Sequence, residues 1–429
     1  MRRVLAFLLI VLAVISFSYV VRTDDVKTWA LQHSKENFTF IVFGDSRPVS
    51  PMRPLPEDLL SRIAFEIGIL HPDFVVVTGD MIIGYGDSEE EVREELDTFL
   101  EIMNKYAPDV PFLFVPGNHE ISSGEQNMKI YQEYFGKKLY YDFKFGNVHF
   151  IMINTNWPGG YAPGKYGFFN VNDGAHEKAL VDWFKEVLAE PAEKKIVFGH
   201  VPAFSALTPN FEFEHTKSFD TKENRDEFVN LLVESGVDAY IAGHEHLTYV
   251  TKKGNTLFIT LGGGGAPIYV PVTGGYQINT HEKPYDKLTY DGRLEFGGYA
   301  AGYHYALHVP AGALGIYDYM IVTVNGNKTH YRITVPFSFN MRVLKNKPAC
   351  YEVLVTNRTP YDVQANGIEA RLYGVKDVKI EAYYTDWGRK KKEVEYKILE
   401  KKVDEKGVYV RVGVVVPATY AVNVVIRGR

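Results

Sequence analysis

FTFIVFGDSRP (residues 38–48) opens as an unbroken run of aromatic and β-branched residues, stops at Gly44, and places Asp45 at its tip with Arg47 two positions on. A short apolar run bounded by glycine reads as a strand buried on both faces. The same wording recurs along the chain. VVVTGD ends in Asp80, FLFVPGNH in Asn118 and His119, KIVFGH in His200, and YIAGHEH in His244 and His246. Each run ends in glycine followed by a residue able to ligate a metal. In an open α/β sheet such residues collect at the carboxyl ends of the strands. Glycine there lets the backbone turn sharply and brings the next side chain into a shared crevice.

The segments between these runs carry helical periodicity. In AHEKALVDWFKEVLAE, Leu180, Trp183, Phe184, Val187 and Leu188 fall on one face. ENRDEFVNLLVESG repeats the pattern with Phe228, Leu231 and Leu232 and stops at Gly236, as a helix C-terminus does. Strands alternating with helices predict a layered α/β domain. After Gly265 the helical pattern ends, and a Tyr-, Gly- and Pro-rich stretch precedes the strand-like YDYMIVTVNGN and THYRITVPF. From residue 343 onward, alternating Val, Tyr and Ile runs predict a separate all-β domain of immunoglobulin-like sandwich size. The predicted division is 1–22 as signal peptide or membrane anchor, 38–340 as the α/β domain with core motifs in 38–261, and 343–429 as the β domain.

The candidate ligands are Asp45, Asp80, Asn118, His200, His244 and His246, with His119 beside them. Carboxylate, amide oxygen and imidazole without sulfur suit Mn, Fe or Zn and not a structural cysteine zinc site. They are more than one ion needs, and a shared carboxylate makes a dinuclear site, of the kind that clamps both oxygens of a phosphoryl displacement.

The ordered series GDSR, TGDM, PGNHE, FGHVP and AGHEH resembles the calcineurin-like metallophosphoesterases, with PGNHE and GHEHLTYV closest in wording to the purple acid phosphatase-like branch. The resemblance implies a four-layer αββα fold and two divalent or Fe/Mn/Zn-type ions. It implies that Asp80 bridges them, that Asn118, His200 and His244 complete one site, that Asp45 and His246 hold the other, and that His119 is a non-ligand acid near the leaving group. Two positions depart from the pattern. Arg47 stands where many members have a ligating histidine, and Ile83 where purple acid phosphatases have a tyrosine, with Tyr85 off register. Guanidinium stays protonated and does not ligate metals, but it grips phosphate oxygens bidentately. Arg47 is therefore read as a second catalytic candidate, against the blander alternative of an ion pair with Glu57 or Asp87.

Composition narrows the partners. The net charge of −6 over 429 residues, with no basic stripe, argues against nucleic acid as the main partner. One cysteine, Cys350, excludes an intrachain disulfide and a thiolate metal cluster. Scarce cysteine with abundant Lys and Glu is compatible with a heat-loving source. Arg2 and Arg3 precede an apolar run over residues 4–21, which suits a secretory signal and approaches the ~18 residues of an uncleaved anchor. An extracytoplasmic location follows as an expectation. Sequons stand at Asn37, Asn327 and Asn357. The glycines at 262–265 lack the lysine and helix start of a P-loop and predict a bend under the metal site. GRKKKEVEYK reads as a solvated turn, and His304 and His308 as ordinary histidines of a strand-like stretch.

The expected function is that of a secreted or membrane-tethered phosphoesterase that hydrolyses small phosphorylated mono- or diesters through a metal-activated hydroxide. The alternative is a degenerate, non-catalytic cell-surface protein that binds metal and phosphate.

Overall fold

A computed structural model describes residues 20–48, 57–156, 175–205, 222–269, 294–297, 299–300, 303–304 and 312–429. The apolar run up to residue 19 and most of the Tyr- and Gly-rich stretch, His308 included, lie outside the described residues. Among the described residues no helix is long and apolar enough to cross a membrane.

Two sheets form the centre of the N-terminal part. The first has six strands in the order Leu294–Gly297, Lys328–Thr334, Tyr319–Asn325, Asn37–Phe43, Phe74–Val77 and Phe112–Phe114. The second has seven, in the order Gly312–Leu314, Thr248–Lys253, Thr256–Leu261, Ala239–Ala242, Lys194–Phe198, Val148–Met152 and Tyr141–Phe145. Alternation along each strand sorts side chains between layers, because successive residues point to opposite faces. Phe38, Phe40 and Val42 face inward and pack with Phe150, Ile196 and Phe198 of the second sheet. Phe40 stacks on Phe74 at 5.0 Å and meets the edge of Phe150 at 5.3 Å. Ile41 and Phe43 face outward, among Ile63 and Ile67 of helix Glu57–Leu70 and Phe99 of helix Glu89–Tyr106. On the far side Val197 packs with Phe184 of helix Ala175–Ala189 and Phe228 of helix Lys222–Glu234. The result is the four-layer αββα sandwich, and it explains why the central strands read as unbroken apolar runs.

Ser88 caps helix Glu89–Tyr106. Its hydroxyl accepts from the Glu91 N–H at 3.3 Å while the Glu91 carboxylate accepts from the Ser88 N–H at 2.7 Å.

The C-terminal part is all β, with antiparallel sheets of five and three strands. Val353, Val355, Val422 and Val424 of the larger sheet face Ile368, Val410 and Val412 of the smaller in one cluster that also takes in helix Glu57–Leu70. Arg62 and Glu66 of that helix hold the junction. Glu66 accepts from the Tyr319 hydroxyl at 2.6 Å and the Phe337 N–H at 2.5 Å, and Arg62 donates to the Phe339 carbonyl. Strand Phe339–Lys347 runs through the expected boundary at residue 343. Asn357 is buried and its amide donates to the carbonyls of Tyr361 and Val416, so this sequon is not available to a glycan.

Asn37–Phe43, Phe74–Val77 and Phe112–Phe114 run parallel in the first sheet, and Val148–Met152, Lys194–Phe198 and Ala239–Ala242 in the second. Their carboxyl ends therefore deliver Asp45, Asp80, Asn118, His200 and His244 to one edge of the sandwich, where the two sheets meet.

Candidate functional site

The backbone at this edge is shaped by close approach. A Cβ on Gly117 would lie 2.2 Å from Asp80 Oδ1, and one on Gly243 would lie 2.2 Å from Asp45 Oδ2. The sharp turn expected of these glycines falls mostly on their neighbours. Asp45, Asp80 and His244 adopt φ of 60°, 57° and 70°, a left-handed conformation uncommon for residues with a Cβ. Glycine makes room, and the next residue takes the strained conformation. The run at 262–265 passes beneath the site, where Gly264 donates to the Gly44 carbonyl at 2.9 Å and Ala266 to that of Asp45 at 2.7 Å.

Asp45 and Asp80 are both buried. Both Asp45 oxygens accept from the His244 N–H at 2.9 Å. Asp80 Oδ1 accepts from the His119 N–H at 3.1 Å and lies 3.2 Å from His200 Nε2. Asn118 Oδ1 lies 2.9 Å from His200 Nε2 and 2.8 Å from His244 Nδ1.

Three imidazoles are oriented in the same way. Nδ1 of His119 donates to the Ile83 carbonyl, that of His200 to Thr78 at 2.7 Å, and that of His246 to Pro267 at 2.8 Å. A carbonyl oxygen only accepts, so each ring carries its proton on Nδ1 and turns Nε2 to the site. His246 Nε2 is 3.7 Å from Asp45 Oδ1, and His119 Nε2 is 3.7 Å from Asp80 Oδ2.

Charge follows from this arrangement. Burial and the neighbouring Asp80 carboxylate raise the Asp45 pKa well above the usual range, against the pull of His200. Burial also pushes Asp80 upward, but His119, His200 and Arg47 together hold it well below its usual value. Burial lowers His200, yet Asp80 and Asp45 overcome it and raise the ring to about 9. His246 is lowered to about 4 by burial and by Arg47.

Ligand atoms of Asp80, His200 and His244 lie within 4.8 Å of one another, as do those of Asp45, Asp80 and His246, so the two groups share Asp80. The donors are carboxylate and imidazole with an amide oxygen beside them, and two buried carboxylates stand at the centre. Donor types and charge balance both fit metal cations.

Arg47 does not pair with Glu57 or Asp87. Its Nε lies 3.8 Å from Asp80 Oδ2, and Asp87 instead accepts from the Gly84 N–H at 2.7 Å. Tyr85 reaches Asn118, whose amide donates to its hydroxyl at 3.1 Å, while Ile83 turns a buried apolar side chain inward.

Sequence reasoning passed over two residues of the site. The buried Glu120 carboxylate accepts from the N–H groups of Asp80, Met81 and Gly117 at 2.9, 2.7 and 2.8 Å, tying two ligand loops together. The E closing PGNHE was the available signal. Tyr269 stacks on His246 at 4.2 Å, and no motif marks it.

A model of the calcineurin-like phosphoesterase family matches residues 38–247. The serine/threonine-protein phosphatase CPPED1 of Danio rerio is 25% identical over 187 residues, 41% of this chain and 54% of that protein. Purple acid phosphatase 23 of Arabidopsis thaliana is 24% identical over 195 residues, 41% of this chain and 39% of that protein. The chain thus spans about half or less of the length of these relatives. Among solved structures, the purple acid phosphatase PPD1 from yellow lupin (Lupinus luteus) seeds aligns with a TM-score of 0.48 at 15% identity, covering 76% of this chain and 52% of that one.

Proposed function

From the premise that this chain belongs to the calcineurin-like metallophosphoesterase superfamily, we propose that it is a metal-dependent phosphoric ester hydrolase acting on small phosphorylated substrates. The observation that carries this reading is the pair of donor groups sharing Asp80, with His119 and Arg47 at their side. Asp80, Asn118, His200 and His244 would hold one ion, and Asp45, Asp80 and His246 the other. Bound metal ions of the Mn, Fe or Zn type would supply Lewis acidity and lower the pKa of water.

The chain's own groups do the rest. Arg47 binds terminal phosphate oxygens and offsets the charge that develops on them, as a permanently protonated guanidinium can. His119 gives the proton at Nε2 to the departing alcohol, its Nδ1 being committed to Ile83. Burial lowers the His119 pKa. Its protonated, donating form therefore belongs to the acidic side of the pH range, and turnover falls as pH rises through that pKa. Export across a membrane is part of the same proposal, supported by Arg2, Arg3 and the apolar run after them.

The test uses the full chain, stripped with a chelator and reloaded with Mn, Fe, Zn, Co or Ni. Expected are two tightly held ions per chain by elemental analysis and metal-dependent release of p-nitrophenol from its phosphate esters. A folded protein that holds no ion and hydrolyses neither the mono- nor the diester with any of these metals would overturn the proposal.

A further inference from the structure

Two carboxylates outside every metal-ligand motif grip the segment that orients His119. Nδ1 of His119 donates to the Ile83 carbonyl. That carbonyl and the Gly84 N–H belong to one peptide unit, and the Gly84 N–H donates to Asp87 Oδ2 at 2.7 Å. The preceding N–H, that of Ile83, donates to Glu95 Oε2 of helix Glu89–Tyr106 at 2.8 Å. Asp87 is itself anchored by its place directly before Ser88, the residue that caps this helix. The loop also lies hard against His119. The Tyr85 ring meets the imidazole edge to face, with centroids 4.7 Å apart, and a Cβ on Gly84 would lie 2.1 Å from the His119 carbonyl oxygen.

We propose that Asp87 is a positioning residue for proton transfer by His119, acting through the Ile83–Gly84 peptide. The inference rests on the phosphoesterase reading of the site, in which His119 is the proton donor. A peptide unit is planar and its N–H and C=O are conjugated. An anion that accepts at one end therefore makes the other end a better acceptor. Carboxylate, peptide and imidazole form one chain of hydrogen bonds, and the ring at its end turns Nε2 to within 3.7 Å of Asp80 Oδ2. The chain fixes both the tautomer and the plane of the ring, so that Nε2 keeps facing the site. Without Asp87 the Gly84 N–H loses its acceptor, and the peptide can turn its carbonyl away from Nδ1. Glu95 does not replace it, because its bond is made to the other peptide plane, on the N-terminal side of Ile83.

The decisive variant is Asp87→Ala. Asp87→Asn is the conservative one, since its amide oxygen still accepts from the Gly84 N–H. Both are compared with wild type, loaded with the same metal, for kcat and KM on two esters. β-Glycerophosphate has an alkyl leaving group that needs a proton, and p-nitrophenyl phosphate has one that needs little. Metal content is counted in each protein. In metal-free protein isotopically labelled on histidine nitrogen, the Nδ1–H resonance of His119 is identified by its loss in His119→Gln. Asp87→Ala should lower kcat for β-glycerophosphate about tenfold more than for p-nitrophenyl phosphate, with KM within about twofold and metal content as in wild type. The Nδ1–H proton resonance should move upfield as its hydrogen bond weakens, and Asp87→Asn should recover most of both effects. Equal losses on the two esters, a loss of metal, an unmoved resonance, or an Asn variant no better than the Ala variant would overturn the inference. Wild-type protein that hydrolyses neither ester with any metal removes the phosphoesterase reading itself. An active wild type whose Ala variant keeps the wild-type ratio between the esters removes only the role of Asp87.

Discussion

Replacing Glu120 by glutamine asks whether one buried carboxylate organises the site. Its Oε2 accepts from the Asp80 and Gly117 N–H groups at 2.9 and 2.8 Å, and its Oε1 from those of Met81 and Ile82 at 2.7 and 3.4 Å. Burial, then the Asp80 charge, push its pKa up to about 7, while these N–H groups favour the ionised form. Glutamine keeps the shape but exchanges one oxygen for an NH₂. Whichever way the amide turns, two backbone N–H groups then face a donor. At about 1–3 kcal/mol for each buried donor left without an acceptor, the cost is roughly 2–6 kcal/mol, partly offset by relief of repulsion with Asp80. For a unit of this size that corresponds to a fall in Tm on the order of 10 °C. The Asp80 and Gly117 loops would no longer be held together, and metal affinity should drop about 10- to 100-fold, as it does when groups supporting the ligands are lost. Thermal unfolding in excess chelator reads the first effect, and titration of the refolded protein with Mn or Zn reads the second. A Tm unchanged in chelator, together with unaltered metal affinity, would refute the role assigned to Glu120.

Three further outcomes are expected. Gly243→Ala places a Cβ 2.2 Å from Asp45 Oδ2, so Asp45 must move. Elemental analysis should show loss of the ion assigned to Asp45, Asp80 and His246, and an unchanged count would contradict that assignment. His119→Gln should slow hydrolysis of an alkyl phosphate at least about tenfold more than that of p-nitrophenyl phosphate, whose leaving group needs little protonation. Equal losses on both substrates would rule out a proton donor there. Asp318 is buried, accepts from the Thr248 hydroxyl and from the Gly263 N–H at 3.2 Å, and is pushed up to about 7 by burial. Its folded pKa exceeds the ordinary 3.8, so folding favours the protonated form. That contribution is complete below about pH 4 and is lost as pH rises through 7. In metal-free protein, Asp318→Asn should flatten the decline of Tm over that range, and an unchanged slope would place the titration elsewhere.

The six candidate ligands and His119 were legible because each lies within three residues after a glycine that closes an apolar run, and the carboxyl ends of parallel strands gather such positions at one edge of a sheet. The alternation of helical and strand-like segments in residues 38–261 likewise led to the layered fold, and the change of pattern near residue 343 to the β region. Arg47 was legible as a departure but not as a contact. Distance along the chain does not single out its neighbour: Glu57 and Asp87 do not pair with it, whereas Asp80 lies 3.8 Å from its Nε. Glu120 was visible as a letter beside a motif, without any sign that it accepts from two different loops.

Sequence by itself determined what local chemistry can encode: which runs are strands, where they stop, and which side chains follow the stop. Tertiary structure alone decided which atoms meet. The left-handed backbone at Asp45, Asp80 and His244, the three imidazoles turned by carbonyls of Ile83, Thr78 and Pro267, and the stacking of Tyr269 on His246 all join segments far apart in the chain. Periodicity reports how a residue relates to its neighbours along a helix or strand. It carries no term for the distance between two loops, and that distance is set only when the two sheets pack face to face through their inward aromatic side chains.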